Sequence, residues 1–250
     1  MIEVSNFSRQ NWDISIVLFF NQFCGKCVFL DTLALLFLSV DALRTAILVA
    51  LVIGLWEYGK IKNDIKANKR VIAILFSIII TLGIVEIINA LIDSPRPIVT
   101  YGNLIHNHPI TTSDTQELWR SGWVRNPKHG SFPSDTVALL ATMAVGLFLW
   151  NKTIGTLAIL FVIFTGVLPR LYFGLHYPSD MFFGFLIALI STYITEKAKL
   201  FNNMTKNILS LQNKYPYTFG VIGFYLAYIV ADKFILLRKL PVWIRTMLGQ

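Results

Sequence analysis

The chain is predicted to fold as an all-α, polytopic membrane helical bundle with about six transmembrane helices. Three observations lead there. Hydrophobic residues make up 55% of the 250 and charged residues only 14%, with a mean hydropathy of +0.60, whereas a soluble domain is nearer a quarter charged. Apolar runs able to cross a bilayer, at about 17–25 residues each, recur along the whole length. Those runs lack the period-two alternation of strands, so helices must satisfy their backbone groups.

Taken in order, residues 11–40 are apolar but broken by Asn21, Gln22, Lys26 and Asp31. Each uninterrupted piece is too short to cross alone, so two short interfacial helices are expected, with a single broken crossing as the alternative. Residues 42–57 form the first clear span, with Trp56 and Tyr58 suited to an interfacial belt. Residues 71–92 form the next. Between them, EYGKIKNDIKANKR sets Lys60, Lys62, Lys66, Lys69 and Arg70 against Glu57 and Asp64, and that excess assigns the segment to the cytoplasmic side. Span 71–92 therefore leads outward, and residues 93–134 form a long extracytoplasmic loop. Residues 136–150 return, Lys152 marks a tight inner turn, 154–170 lead out again and 180–196 come back. Lys197, Lys199, Lys206 and Lys214 agree with an inner location. Residues 217–232 read as a last span. Its basic tail (Lys233, Arg238, Lys239, Arg245) then falls outside, against the charge rule, or lies along the interface as an amphipathic helix. The whole of 1–250 reads as a single integral membrane domain.

The formal charge of +8 is explained by loop residues that set topology, so no nucleic-acid partner is expected; the bilayer is the partner. The start, MIEVSNFSRQNWD, has mixed charge and no small-residue cleavage site after the first apolar run, so no cleavable signal is expected. The two cysteines, Cys24 and Cys27, are spaced as CGKC. A redox reading needs a βαβ context that is lacking, which leaves a structural role, with a disulfide or metal role as the alternative.

Three polar segments sit at span boundaries that this topology puts on one face. In DSPRPIV, Arg96 stands between two prolines that fix a turn beyond a helix end; it is suited to phosphate, or to lipid headgroups. In GSFPSDTVALL, Ser134 precedes a helix, where it can cap, donate its hydroxyl to a phosphate oxygen, or mark a helix start whose N–H groups hold an anion. In PRLYFGLHYPSD, Arg170, His176 and Asp180 occur together. A guanidinium holds phosphate oxygens in a fork of donors. An imidazole supplies a nucleophilic nitrogen, and a carboxylate orients the ring and stabilises charge on it. His176 and Asp180 are four apart, so on one helical turn they would face each other, although Pro178 makes that turn irregular. Gly174 allows close approach of the chain. A hydrocarbon environment rarely tolerates such groups without a role.

Together these segments resemble the three motifs of the type 2 phosphatidic acid phosphatase (PAP2) superfamily, membrane lipid phosphatases related to vanadium haloperoxidases. The similarity runs over about residues 89–180, and interfacial helices followed by Leu30-Asp31 extend it towards the N-terminus. The subgroup most similar in motif is the bacitracin-resistance type of undecaprenyl diphosphatase, which has Asp, as at Asp135, where most relatives have Gly. The resemblance implies a phospho-histidine on His176, Asp180 as its orienting partner, and phosphate binding by Arg96, Arg170 and Ser134. It implies no metal and no cofactor, a bacterial cell (inner) membrane location, and a site facing the extracytoplasmic side.

Two positions depart from the family pattern. Many members carry a Lys seven residues before the first-motif Arg; here that residue is Asn89, which donates a hydrogen bond without charge. The second motif normally ends in a His that protonates the leaving group; here it is Thr136, whose hydroxyl is no acid near neutral pH. General acid catalysis is worth about 10²–10⁴-fold. Either the leaving group is itself a phosphate, with a second pKa of about 6, which favours a diphosphate substrate; or another group supplies the proton, His129 first, with His106 and His108 behind it and Lys128 restoring the charge missing at Asn89; or the site binds without hydrolysis. The implied activities are therefore removal of phosphate from a polyprenyl diphosphate or related lipid phosphate, transfer of that phosphate to another hydroxyl, or binding and transport alone. The loop 98–130, with Trp119, Arg120, Trp123, Arg125 and His129, either shapes the headgroup site or packs as a surface loop.

Overall fold

The computed structural model describes residues 11–106 and 130–232, and every regular element among them is helical. The chain is an all-α membrane bundle. Two short helices lead, α1 (Asn11–Asn21) and α2 (Val28–Ser39). They are followed by α3 (Asp41–Ile61), α4 (Ile65–Leu91) and one turn of α5 (Pro97–Thr100). Beyond residue 130 come α6 (Asp135–Trp150), α7 (Lys152–Tyr172), α8 (Pro178–Lys197), α9 (Leu200–Lys214) and α10 (Pro216–Ala231). His129, Lys128, His108, the tryptophan-rich part of the loop and the basic tail lie outside the described residues.

Four described helices, α3, α4, α7 and α8, are long and apolar enough to cross a membrane. α6 and α10 are apolar but have 16 residues each, about 24 Å at the usual rise, short of a hydrocarbon core of about 30 Å. α6 is central: every residue from Thr136 to Leu147 is buried, against α3, α4, α7 and α8. Local chemistry fixes the ends. Asp64 accepts from Lys66 N at 3.0 Å and Ala67 N at 3.3 Å, which starts α4 six residues before the expected span. Asn151 does the same for α7 through Ile154 N at 3.1 Å. The segment Leu200–Lys214, read from sequence only as a basic connection, folds as α9; it lays Met204, Ile208 and Leu209 on the core and turns its lysines outward.

Polar side chains inside the bundle spend their hydrogen bonds locally. Ser77, Thr142 and Thr192 each donate to a carbonyl one turn back, at 2.7, 2.8 and 2.7 Å, which removes the cost of burying them. Outward faces are apolar: Ile79, Ile87, Phe182 and Phe224 are each more than 60% exposed, as lipid-facing positions should be. Cys24 and Cys27 are free thiols, the first buried and the second exposed. Burial, with Asp31 nearby, pushes the Cys24 thiol up to about 11.

Candidate active site

The C-terminal ends of α4 and α7 and the N-terminal ends of α6 and α8 meet at one end of the bundle. Backbone bonds knit the three polar segments there. Ser131 N donates to Ser94 O at 2.9 Å, Ile98 N to Gly174 O at 2.9 Å, and Ser134 N to Asp180 O at 3.0 Å. Residues far apart in sequence are therefore held in one frame before any side chain is considered. Two glycines make this closeness possible. Gly174 has φ +61°, and a Cβ there would come within 2.7 Å of Ile105. A Cβ on Gly184 would lie 2.8 Å from the Ser134 carbonyl, so its lack lets α8 reach the start of α6.

His176 is 4% exposed and precedes α8, whose first residue is Pro178. It therefore does not share a helical turn with Asp180. Its Nδ1 lies 2.9 Å from the Ser131 carbonyl and 3.6 Å from Asp180 Oδ2. A carbonyl only accepts, so Nδ1 carries the proton and Nε2 is the basic nitrogen. Asp180 is fully buried and anchored elsewhere: Oδ2 accepts from Ser131 Oγ at 2.5 Å and from Tyr177 N at 2.9 Å. Ser131 thus bridges the imidazole and the carboxylate, through its carbonyl on one side and its hydroxyl on the other. Burial pushes the His176 imidazole below its ordinary 6.5; the Arg96 and Arg170 cations press the same way, and Asp180 opposes them.

Arg96 occupies the N-cap position of α5, ahead of Pro97, and is 8% exposed. Arg170 is 4% exposed, and its Nη1 donates to Gly166 O at 2.7 Å. That carbonyl belongs to a π-helical turn, Ile163–Val167, inside α7, and such turns often free a backbone group for a side chain. Ser134 holds the N-cap position of α6, but its hydroxyl makes no capping bond. The capping reading is thereby corrected: Thr136 N is taken by Asp135 Oδ1 at 2.6 Å, and Ser134 Oγ is buried with no hydrogen-bond partner. Both polar atoms of the Asn89 side chain are likewise buried and unpartnered; a Cβ on Gly130 would lie 3.6 Å from its Oδ1. Thr136 is 2% exposed and turns its hydroxyl to Asp135 Oδ1 at 3.2 Å. Unpartnered donors at the same end of the bundle as two buried guanidinium groups are what an anion would satisfy.

Of the sequence candidates, the structure brings Arg96, Ser134, Arg170, His176, Asp180, Asp135, Thr136 and Asn89 to this end; His129 and Lys128 fall outside the described residues. Sequence reasoning missed Ser131, because its carbonyl is a backbone group that no residue type advertises. It also missed Arg44, 1% exposed in the first turn of α3. Arg44 pairs with Asp41, donates to Leu38 O at 3.1 Å, and lies within electrostatic reach of Arg170 and Asp135. Its position after Asp41 at the start of an apolar run was the available signal.

Residues 70–203, more than half of the chain, match the model of the PAP2 superfamily. No curated protein and no solved structure matches. The match covers all three polar segments, with the ends of α4, α6, α7 and α8 that carry them, and the chain belongs to the PAP2 superfamily, which comprises lipid phosphatases.

Proposed function

We propose that the protein is a membrane lipid phosphatase that removes the terminal phosphate of a polyprenyl diphosphate, such as undecaprenyl diphosphate, or of a related lipid phosphate. The observation that carries this reading is the His176 imidazole. It is buried, held in one tautomer by the Ser131 carbonyl at 2.9 Å, and close to Arg96 and Arg170. In the first step Nε2 attacks the terminal phosphorus, an N–P bond forms, and the P–O bond to the lipid phosphate breaks. Arg96, Arg170, Ser134 Oγ and the Asn89 amide hold the phosphoryl oxygens as charge develops. Asp180 stabilises the cationic ring, as in other carboxylate–imidazole pairs. Water then attacks the phospho-histidine and releases inorganic phosphate.

Thr136 favours a diphosphate. Its hydroxyl faces Asp135 and is no acid, so a leaving group that departs as a phosphate, with a second pKa of about 6, is the one best suited to the site. His129, with Lys128 beside it, is the proposed proton source where a poorer leaving group is used. The same substitution supports a second reading, a lipid-phosphate binder or transporter without turnover, and the same phospho-histidine could be discharged by a hydroxyl acceptor instead of water. The distribution of lysines supports a site on the extracytoplasmic side, and the resemblance to the bacitracin-resistance type supports a bacterial cell membrane as its location.

The test uses purified protein in detergent with polyprenyl diphosphates, polyprenyl monophosphates and phosphatidic acid. Diphosphates are expected to release phosphate fastest, and His176→Ala to abolish release while the protein stays folded. Ligand binding without release by the unaltered chain would favour the binder. Label appearing on an added hydroxyl compound would favour transfer.

A further inference from the structure

α1 is built inside out. Its buried positions are Asp13, Val17 and Asn21, one per turn, while Trp12, Ile16 and Phe19 are exposed. α2 repeats the pattern: its buried residue is Asp31, 5% exposed, and Val28, Phe29 and Leu33 point outward. A helix that turns polar groups inward needs partners for them, and all three find theirs on the segment that carries His176. Asp13 Oδ1 accepts from Ser179 N at 3.0 Å and Oδ2 from Ser179 Oγ at 2.5 Å. Ser179 is the second residue of α8 and the neighbour of Asp180. A carboxylate from another helix therefore satisfies an orphan N–H at the α8 start and complements its dipole. Asn21 Nδ2 donates to Tyr172 O at 2.8 Å and to His106 O at 3.1 Å, while its Oδ1 accepts from His106 N at 2.7 Å. Asp31 Oδ1 accepts from Tyr172 Oη at 2.5 Å and from Gly25 N at 3.0 Å.

We infer that α1 and α2 form a clamp, and that Asp13, Asn21 and Asp31 are positioning residues which grip the segment 172–179 from both sides of His176 and fix the imidazole relative to Ser131. This rests on the proposed role of His176. None of the three touches the imidazole, so none is a catalytic residue. Asp13 grips the α8 side, and Asn21 and Asp31 grip the α7 side. Gly174, at φ +61°, lies between the two grips, where the chain has least stiffness of its own. Without the clamp the segment would be held mainly by backbone bonds, and small displacements of a reacting group reduce rates steeply.

The experiment compares Asp13→Ala and Asn21→Ala with the unaltered chain on a polyprenyl diphosphate, and follows the His176 imidazole resonance against pH, assigned by its loss in His176→Ala. Each clamp variant is expected to lower kcat on the order of 10- to 100-fold, as a displacement of about 1 Å does. KM should stay unchanged, because Arg96, Arg170 and Ser134 are untouched. The His176 titration should move upward towards its ordinary value as the ring gains water, with Arg96, Arg170 and Asp180 still facing it. Asp13→Asn keeps one acceptor for Ser179 N–H and should recover most of the activity; if Asp13→Ala does not fold, Asn21→Ala carries the test. Unchanged kcat and an unchanged His176 titration in folded clamp variants would overturn the clamp. Full activity in His176→Ala would instead overturn the role of His176, a result that the titration arm separates from the first.

Discussion

The two ends of the bundle handle polarity differently. At the lysine-rich end, Lys60 meets Glu57 at 3.0 Å with both groups partly exposed, Asp64 caps its own helix, and Arg70 pairs with Glu196. These contacts are short-range or wet, and pairs of that kind contribute about 0–1 kcal/mol each. At the other end Ser131, Ser134 and Asp180 are fully buried, and they are tied to one another and to His176. Yet the Ser134 hydroxyl and the Asn89 amide lack partners, and a buried unpaired polar group costs about 1–3 kcal/mol. The lysine-rich end pairs its charges within the chain and leaves one guanidinium nitrogen, Arg70 Nη1, without a partner, whereas at the other end an unpartnered hydroxyl and amide share the site with two buried guanidinium groups and an imidazole, a set that oxygen acceptors would complete. That contrast, more than any single residue, locates the site.

The contrast breaks if arginines at the two ends prove equivalent. Arg170→Ala is expected to reduce kcat/KM by about 10²–10³-fold, as loss of a donor to a developing oxyanion does. Arg70→Ala should leave kcat/KM within about two-fold and lower stability by about 1 kcal/mol or less, because its pair is partly exposed. Comparable losses in the two variants, measured on the same lipid diphosphate, would dissolve the distinction.

Glycines sharpen it. Gly184→Val forces a side chain towards the Ser134 carbonyl, where a Cβ alone would lie at 2.8 Å. The α6 and α8 starts must then part, and a loss of about 10- to 100-fold in kcat is expected. Gly83→Ala, in α4, meets nothing within 4 Å and should leave kcat unaltered, with helix propensity improved by about 1 kcal/mol at most. Equal effects on kcat would show that α8 is not held by this approach.

The acid limb of the rate profile gives a third check. The His176 imidazole is held below 6.5, chiefly by burial, and only its neutral form has a lone pair for phosphorus. A depressed value keeps that form present at pH 6.5 and loses it as pH falls further. kcat/KM should therefore hold at pH 6.5 and then fall about ten-fold per unit on the acid side; a limb centred above 6.5 would contradict a buried nucleophile. Thr136→Ala is the smallest perturbation. Its hydroxyl already faces Asp135 at 3.2 Å, so with a diphosphate substrate the change in kcat should stay within about three-fold, far below the 10²–10⁴-fold of a lost general acid.

How much of this was legible in the sequence follows from the physics of each feature. Span-length apolar runs and lysine asymmetry are properties of composition, so the helical membrane class was open to reading. The three polar segments were legible because Arg, His and Asp at bilayer edges are costly enough to stand out. The helix at Leu200–Lys214 is masked by its polar majority, although Phe201, Met204 and Ile208 already recur at the three- and four-residue spacing of an amphipathic helix. Asp180 was legible from its spacing and does lie 3.6 Å from His176 Nδ1, but the nearer contact, the Ser131 carbonyl at 2.9 Å, was not, because it is a backbone group brought in from a distant segment. Asp13 and Asn21 were illegible as positioning groups, because a polar residue in an apolar run looks like an interruption until its distant partner is seen.

The most direct measurement is to quench the protein during turnover of a polyprenyl diphosphate labelled in its terminal phosphate, and to map the label by peptide. An acid-labile phosphoryl group on the peptide containing His176, missing from His176→Ala, is the expected result. Label on a different residue, or undiminished phosphate release by His176→Ala, would contradict His176 as the group that takes the phosphate.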